Sequence, residues 1–291
     1  MEAYIYNLVN LIAIYSILAV TLNFIMGYAG IYSLAHAVFF GLGAYTSSWV
    51  AQNVSPSIFV SYPAAMVAAG AVSLFLALPA LRVRGEYFVA ASLGLQVLSV
   101  TIYSEWKGFT GGIGGVLAIP PVDVLGWEVF RPGQFAILSV AVLVLVVLLT
   151  TALVRSSFGR NLRAIRDSES AAASFGKNVP MIKTISVVIS AGLAALAGAL
   201  YASYLSFINV ESFTLDTSVL IMAIVIIGGT GTVAGPIVGA AILLILPSVI
   251  SYFEFLPQTE IGSLQQIIYG LGMTLLMIFR PGGLVGRRPG R

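Results

Sequence analysis

LVNLIAIYSILAVTLNFIMGYAGIYSLAHAVFFGLGAYTSSWV, residues 8–50, contains no aspartate, glutamate, lysine or arginine, and the uncharged run extends on both sides from Ala3 to Leu81. A charge at the centre of a bilayer costs about 3 kcal/mol on insertion scales, so such a run marks hydrocarbon. Gly27-Tyr28-Ala29-Gly30 and Asn53-Val54-Ser55-Pro56 punctuate it, which predicts spans near residues 4–26, 31–52 and 59–81. Further uncharged stretches cover 87–104, 134–154, 184–207, 217–253 and 261–279. The stretch 217–253 is too long for one helix and breaks at Gly228-Gly229-Thr230-Gly231. At roughly 20 apolar residues per crossing, the reading is an all-α polytopic membrane protein. It has about eight or nine transmembrane helices, some interrupted.

The composition agrees. Of 291 residues, 59% are apolar and 9% charged, against about 25% charged in an ordinary soluble domain. The mean hydropathy is +1.01. Such a chain lacks the polar groups to face water, which excludes cytosolic enzymes and secreted disulfide scaffolds. Absence of cysteine removes disulfides and thiolate metal sites, and no metal centre is expected. Met1-Glu2 carries no basic n-region, so no cleaved signal peptide is expected. A net charge of +3 is too small to imply nucleic acid.

The distribution of charge is more informative than its sum. All of the 14 basic residues except Lys107 and Arg131 fall in residues 82–86, 155–183 and the tail from Arg280. The intervening loops carry Glu105, Asp123, Glu128, Glu211, Asp216, Glu254 and Glu260. The positive-inside rule makes the basic segments cytoplasmic. The N-terminus is then outside, provided residues 4–26 and 31–52 both cross fully. Tyr4, Tyr6, Trp49, Trp106 and Trp127 read as interfacial anchors.

The longest cytoplasmic segment is RSSFGRNLRAIRDSESAAASFGKNVPMIK, Arg155–Lys183. Ser156 or Ser157 caps a helix whose Phe158, Leu162, Ile165, Ala172 and Phe175 share one face, and Gly176 stops it before Pro180. Arg163 and Asp167 are spaced for an i,i+4 pair, as are Arg166 and Ser170. The helix is basic, amphipathic and too short to span. Two readings fit it: an interfacial helix on anionic lipid, or a coupling helix whose apolar side chains enter a groove on a cytoplasmic motor. Ala171-Ala172-Ala173 suits close approach of a protein surface.

These residues resemble a known family. FGRNLRAIRDSESAAASFGKNV (158–179), SAGLAALAGALYASYLSFINVESF (190–213), VIIGGTGTVAGPIVGAAILLILP (225–247) and FRPGGLVG (279–286) are similar to the permease subunits of branched-chain amino-acid ABC importers. GYAGIYSLAHAVFFGLGAY (27–45), LRVRGEYFVAASLG (81–94) and FTGGIGGVLAIP (109–120) resemble the LivM-type subunit more than its LivH-type partner. The resemblance is collinear from about Asn23 to Gly286. It implies a single permease domain over residues 1–291, in the inner (cytoplasmic) membrane, with a coupling segment at 156–177. The implied partners are a second permease subunit, two cytoplasmic ATPases and an extracytoplasmic solute-binding protein, besides the lipid bilayer. Phe158, Gly159, Arg160, Arg163, Ala164, Arg166, Asp167, Ala172 and Gly176 are the implied ATPase-coupling residues. The chain departs from the family at Gln96, Lys177 and Asn209-Val210, where Glu, Ile and Ser-Pro are usual. The group is associated with amino acids, urea, short amides and carboxylates, so the solute stays open.

No GxxxxGK[ST] sequence occurs, so this chain cannot cradle a nucleotide by itself. It is expected to bind no cofactor, with ATP and Mg²⁺ on partner subunits, and to be a transport subunit rather than an enzyme. Gly-interrupted segments in the two halves point to a translocation pathway: Gly27–Gly30 in the first, and Gly228, Gly229 and Gly231 in the second. Close helix packing through small residues is the competing reading, and it is preferred for Ser190, Ala194 and Gly198. Asn23, Ser33, Tyr45 and Gln96 offer polar contacts to a solute or interhelical hydrogen bonds. His36 is the only histidine. A hydrogen bond to a neighbouring helix accounts for it better than a proton relay, since no acid follows within that uncharged run. A secondary transporter needs intramembrane acids, and none of the 11 acids falls within a predicted span. A channel needs a repeated filter element, and none stands out.

Overall fold

The structure is a computed structural model, and it describes residues 2–80, 86–250, 261–279 and 282–285. Arg82, Arg84, Glu254, Glu260, Arg280, Arg287, Arg288 and Arg291, used above for orientation, lie outside the described residues. The helices are α1 (Glu2–Ala29), α2 (His36–Asn53), α3 (Ile58–Ala80), α4 (Glu86–Glu105), the one-turn α5 (Lys107–Thr110), α6 (Pro132–Arg155), α7 (Ser157–Asp167), α8 (Glu169–Ser174), α9 (Val179–Leu205), α10 (Leu215–Gly228), α11 (Ala234–Ile250) and α12 (Ile261–Phe279). Two short strands, β1 (Asp123–Val124) and β2 (Trp127–Glu128), form the only sheet among the described residues.

Among the described residues, α1, α4, α6 and α9 are long and apolar enough to cross a membrane, and α3, α10, α11 and α12 contain shorter apolar runs. The protein is an all-α polytopic membrane protein. One predicted boundary needs correction. The second span begins at His36 rather than residue 31, because Gly30 adopts φ +69 and ends α1, leaving residues 30–35 non-helical. The stretch from residue 217 splits into α10 and α11 at the expected Gly228–Gly231 break. At 1.5 Å per residue, α10 is about 21 Å long, short of a roughly 30 Å hydrocarbon core.

Small residues build the centre. α9 packs against α1, α2 and α3. A Cβ on Gly198 would collide with the Phe40 carbonyl and the Ala44 amide, and one on Gly43 with the Ala195 backbone. Ser190 Oγ donates to the Thr21 carbonyl at 2.7 Å. With no apolar driving force between helices in lipid, close approach and hydrogen bonds of this kind hold the bundle. At one end, Asn10 ties α1 to α6: its Nδ2 donates to the Pro132 carbonyl, and its Oδ1 accepts from Ser139 Oγ at 2.8 Å. The loop between α4 and α6 covers that same end. The β1–β2 hairpin turns through Leu125 and Gly126, both at positive φ, with Asp123 Oδ1 accepting from the Gly126 amide.

Candidate coupling segment and helix interruptions

At the opposite end, α6 passes into α7 through a reversal that demands Gly159, since a Cβ there would strike the Val154 backbone. Ser156 caps α7, its Oγ accepting from the Phe158 amide at 3.2 Å. Leu162 and Ile165 are buried, and Ile165, Ala172 and Val179 form a small apolar keel beneath the segment. Arg160, Ala164 and Asp167 lie on the exposed face, Phe158 and Arg163 are half-buried, and Gly176 closes the segment at φ +74.

Three expectations are corrected here. The Phe158–Gly176 helix is two helices, because Ser168 takes extended backbone and caps α8, its Oγ accepting from the Ala171 amide at 3.3 Å. A capping serine after an aspartate outcompetes helix continuation. Phe175 leaves the buried face as a result and is 84% exposed. Asp167 pairs with its neighbour Arg166 at 2.9 Å rather than with Arg163. A bridge from Lys183 Nζ to Glu169 Oε2, 2.7 Å, fastens α8 to α9.

The two glycine breaks meet beside α7. α1 ends in a Schellman-type turn, with the Ile31 amide bonded to the Ile25 carbonyl at 3.0 Å. Arg166 Nη1 donates to the Gly27 carbonyl at 2.8 Å. One turn earlier, Asn23 spans the α10–α11 break: its Oδ1 accepts from the Gly231 amide at 2.9 Å, and its Nδ2 donates to the Thr232 carbonyl at 2.7 Å. Gly283, Leu284 and Val285 arrive at the same place. Leu284 and Val285 amides bond the Ile227 and Gly228 carbonyls, both at 3.0 Å, and Gly283 lies against Gly229. Gly228 in turn abuts Gly235, and Gly231 abuts Gly27.

A second polar cluster lies deeper. His36 Nε2 contacts Thr21 Oγ1 at 2.9 Å, which sets the start of α2 about 12 Å inward from the end of α1. Three serines satisfy the free amides there: Ser33 Oγ accepts from Ala35, Ser92 Oγ from Leu34 and Ser218 Oγ from Ala37. Ser218 Oγ donates to Gln96 Oε1 at 3.1 Å, and Gln96 Nε2 donates to the Phe213 carbonyl at 2.8 Å. The first turns of α2 and α10 therefore meet inside the bundle, where irregular backbone must be satisfied by protein. Tyr45 is buried among Tyr103 and Phe213.

Of the residues predicted for a pathway, Asn23, Gly228, Gly229 and Gly231 thus gather at the α7 end, while Ser33, His36 and Gln96 gather at the inner cluster and Tyr45 stands apart. Thr21, Ser92, Ser218 and Thr232 complete these networks and were not singled out by sequence reasoning. Isolated small hydroxyls in apolar helices give no periodic signal.

A model of the permease component of branched-chain amino acid transport systems matches residues 4–279. The chain belongs to that family. This permease is 29% identical to the high-affinity branched-chain amino acid transport permease LivM of Escherichia coli K12 over 303 residues, covering 96% of this chain and 69% of the relative. It is 24% identical to a probable LivM of Methanocaldococcus jannaschii, covering 95% and 91%. It is 27% identical to the autoinducer 2 import permease LsrC of Salmonella paratyphi B, covering 66% and 49%. No solved structure matches it.

Proposed function

We propose that this permease is a membrane-spanning subunit of an ATP-driven importer of the inner membrane, carrying branched-chain amino acids or a related small polar solute. It pairs with a second permease subunit, takes solute from an extracytoplasmic binding protein, and is driven by two cytoplasmic ATPases that hold ATP and Mg²⁺. The observation that supports this most is the α7–α8 segment. Its buried keel fixes it to the bundle, while Ala164, Ala171, Ala173 and Phe175 present a small-residue surface with one projecting aromatic. A lipid-bound helix has its apolar side chains on a membrane-facing stripe; here the keel is used internally and the aromatic stands exposed outside it.

The solute is proposed from the relatives, whose names include both branched-chain amino acids and autoinducer 2. The polar side chains at both interruptions are engaged within the protein, Asn23, Ser33 and Gln96 with backbone and His36 with the Thr21 hydroxyl, so we assign Asn23, Ser33, His36 and Gln96 to the framework that keeps two broken helices in place. The route for solute then runs beside this framework, along the surface facing the second permease. The test is reconstitution of the chain with its co-purifying subunits and binding protein. Uptake of leucine, isoleucine or valine that requires ATP is expected. Uptake driven by an ion gradient without nucleotide would overturn the assignment.

A further inference from the structure

The family resemblance implies a motor-facing role for Arg166, yet its guanidinium turns back into its own chain. We propose that Arg166 is a positioning residue that locks the coupling segment to the α10–α11 interruption, so that α7, the end of α1 and the start of α11 move as one body. The inference rests on the importer reading and adds the internal route by which force leaves the coupling segment.

The contacts form an unbroken series. Nη1 of Arg166 takes the Gly27 carbonyl at 2.8 Å, one of the last four carbonyls of α1 that have no partner within the helix. A cation at a helix C-terminus is also favoured by the helix dipole. The other side of the guanidinium is held by Asp167, whose Oδ1 accepts from Nε at 3.1 Å and Nη2 at 2.9 Å. The fork is thereby fixed from both sides, a geometry a lysine does not reproduce.

Gly30 lets the arginine stem lie against α1, since a Cβ there would sit 3.1 Å from Arg166 Cγ. Gly27 cannot carry a side chain, because its Cβ would overlap Asn23 Oδ1 and the Gly231 amide. Asn23 then carries the connection into residues 231–232 immediately before α11. Displacement of α7 is therefore passed to the break through the hydrogen-bonded Arg166 and Asn23 side chains and through backbone contact between Gly27 and Gly231.

The test uses the assembled complex with its ATPases in proteoliposomes. Arg166→Met should leave co-purification of the ATPase and its hydrolysis in place while lowering solute imported per ATP at least about fivefold, the scale of a typical coupling between sites. A purely structural role would lower assembly, hydrolysis and import together, and that outcome overturns the proposal. Arg166→Lys keeps charge and one donor and should recover part of the ratio. If Arg166→Met does not accumulate, Arg166→Lys and Asn23→Ser carry the test, and a wild-type ratio in both overturns it.

A second readout exploits the lack of cysteine in this chain. Spin labels on Ser157→Cys, in α7, and Ala234→Cys, at the start of α11, both exposed, should keep one distance between nucleotide-free and ATP-trapped states, and should part or broaden in Arg166→Met. A distance that changes in the otherwise native chain contradicts the lock. Failure of any ATPase to co-purify with the native chain is a different result, and it removes the importer reading together with the lock.

Discussion

α9 and α6 are both long apolar helices, yet their most apolar windows are 78% and 22% buried, respectively. α6, PGQFAILSVAVLVLVVLLTTALVR, is built from large aliphatic residues, and Ile137, Val144, Leu145 and Leu148 point away from the protein. α9 carries SAGLAALAGALYAS through its middle and packs chiefly against α1, α2 and α3 through alanine, glycine and serine. In water the larger apolar side chains would be the buried ones. In lipid they gain nothing by leaving the membrane, and the helix with small side chains becomes the centre because backbones can meet there.

The difference sets the order of mutational effects. Gly198→Leu should be the most damaging, since its side chain would have to occupy the backbone of Phe40 and Ala44. A loss of about 3 kcal/mol or more is expected, read as failure to purify a monodisperse protein in detergent. Gln96→Leu should follow, leaving the Phe213 carbonyl and Ser218 without their partner. About 2 kcal/mol is expected, measured as lowered midpoint in thermal unfolding in detergent. Ser190→Ala removes a single interhelical bond to Thr21 and should cost about 0.6 kcal/mol by the same measurement. Leu148→Ala, on the exposed side of α6, should change the midpoint least, within about 0.5 kcal/mol. If Leu148→Ala proved more harmful than Ser190→Ala, α6 would be buried against a partner rather than lipid.

The membrane class and the approximate spans were legible because charge is excluded from hydrocarbon, and the gaps between charges show this directly. The glycine breaks were legible for a similar reason: runs such as GGTG do not continue a helix. Their meeting was not legible. Asn23 and Thr232 are far apart in sequence, and nothing local tells an asparagine that binds a helix break from one that faces a solute. The split at Ser168 could have been read from Asp167-Ser168-Glu169, where a capping serine precedes an acid in the first turn. The i,i+4 spacing of Arg163 and Asp167 hid it, and with it the true partner of Asp167. His36 came out as a residue bonded to a neighbouring helix, as its apolar surroundings implied.

The proposed function depends on α7 and α8 standing in the cytoplasm and meeting a motor. Phe175→Cys gives the most direct test, because Phe175 projects from the segment and the chain has no other thiol. A membrane-impermeant maleimide applied to intact cells should leave it unmodified, should label it once the inner face is opened, and should be excluded when the ATPase subunits are bound. Labelling in intact cells, or equal labelling with and without the ATPases, would contradict the coupling role.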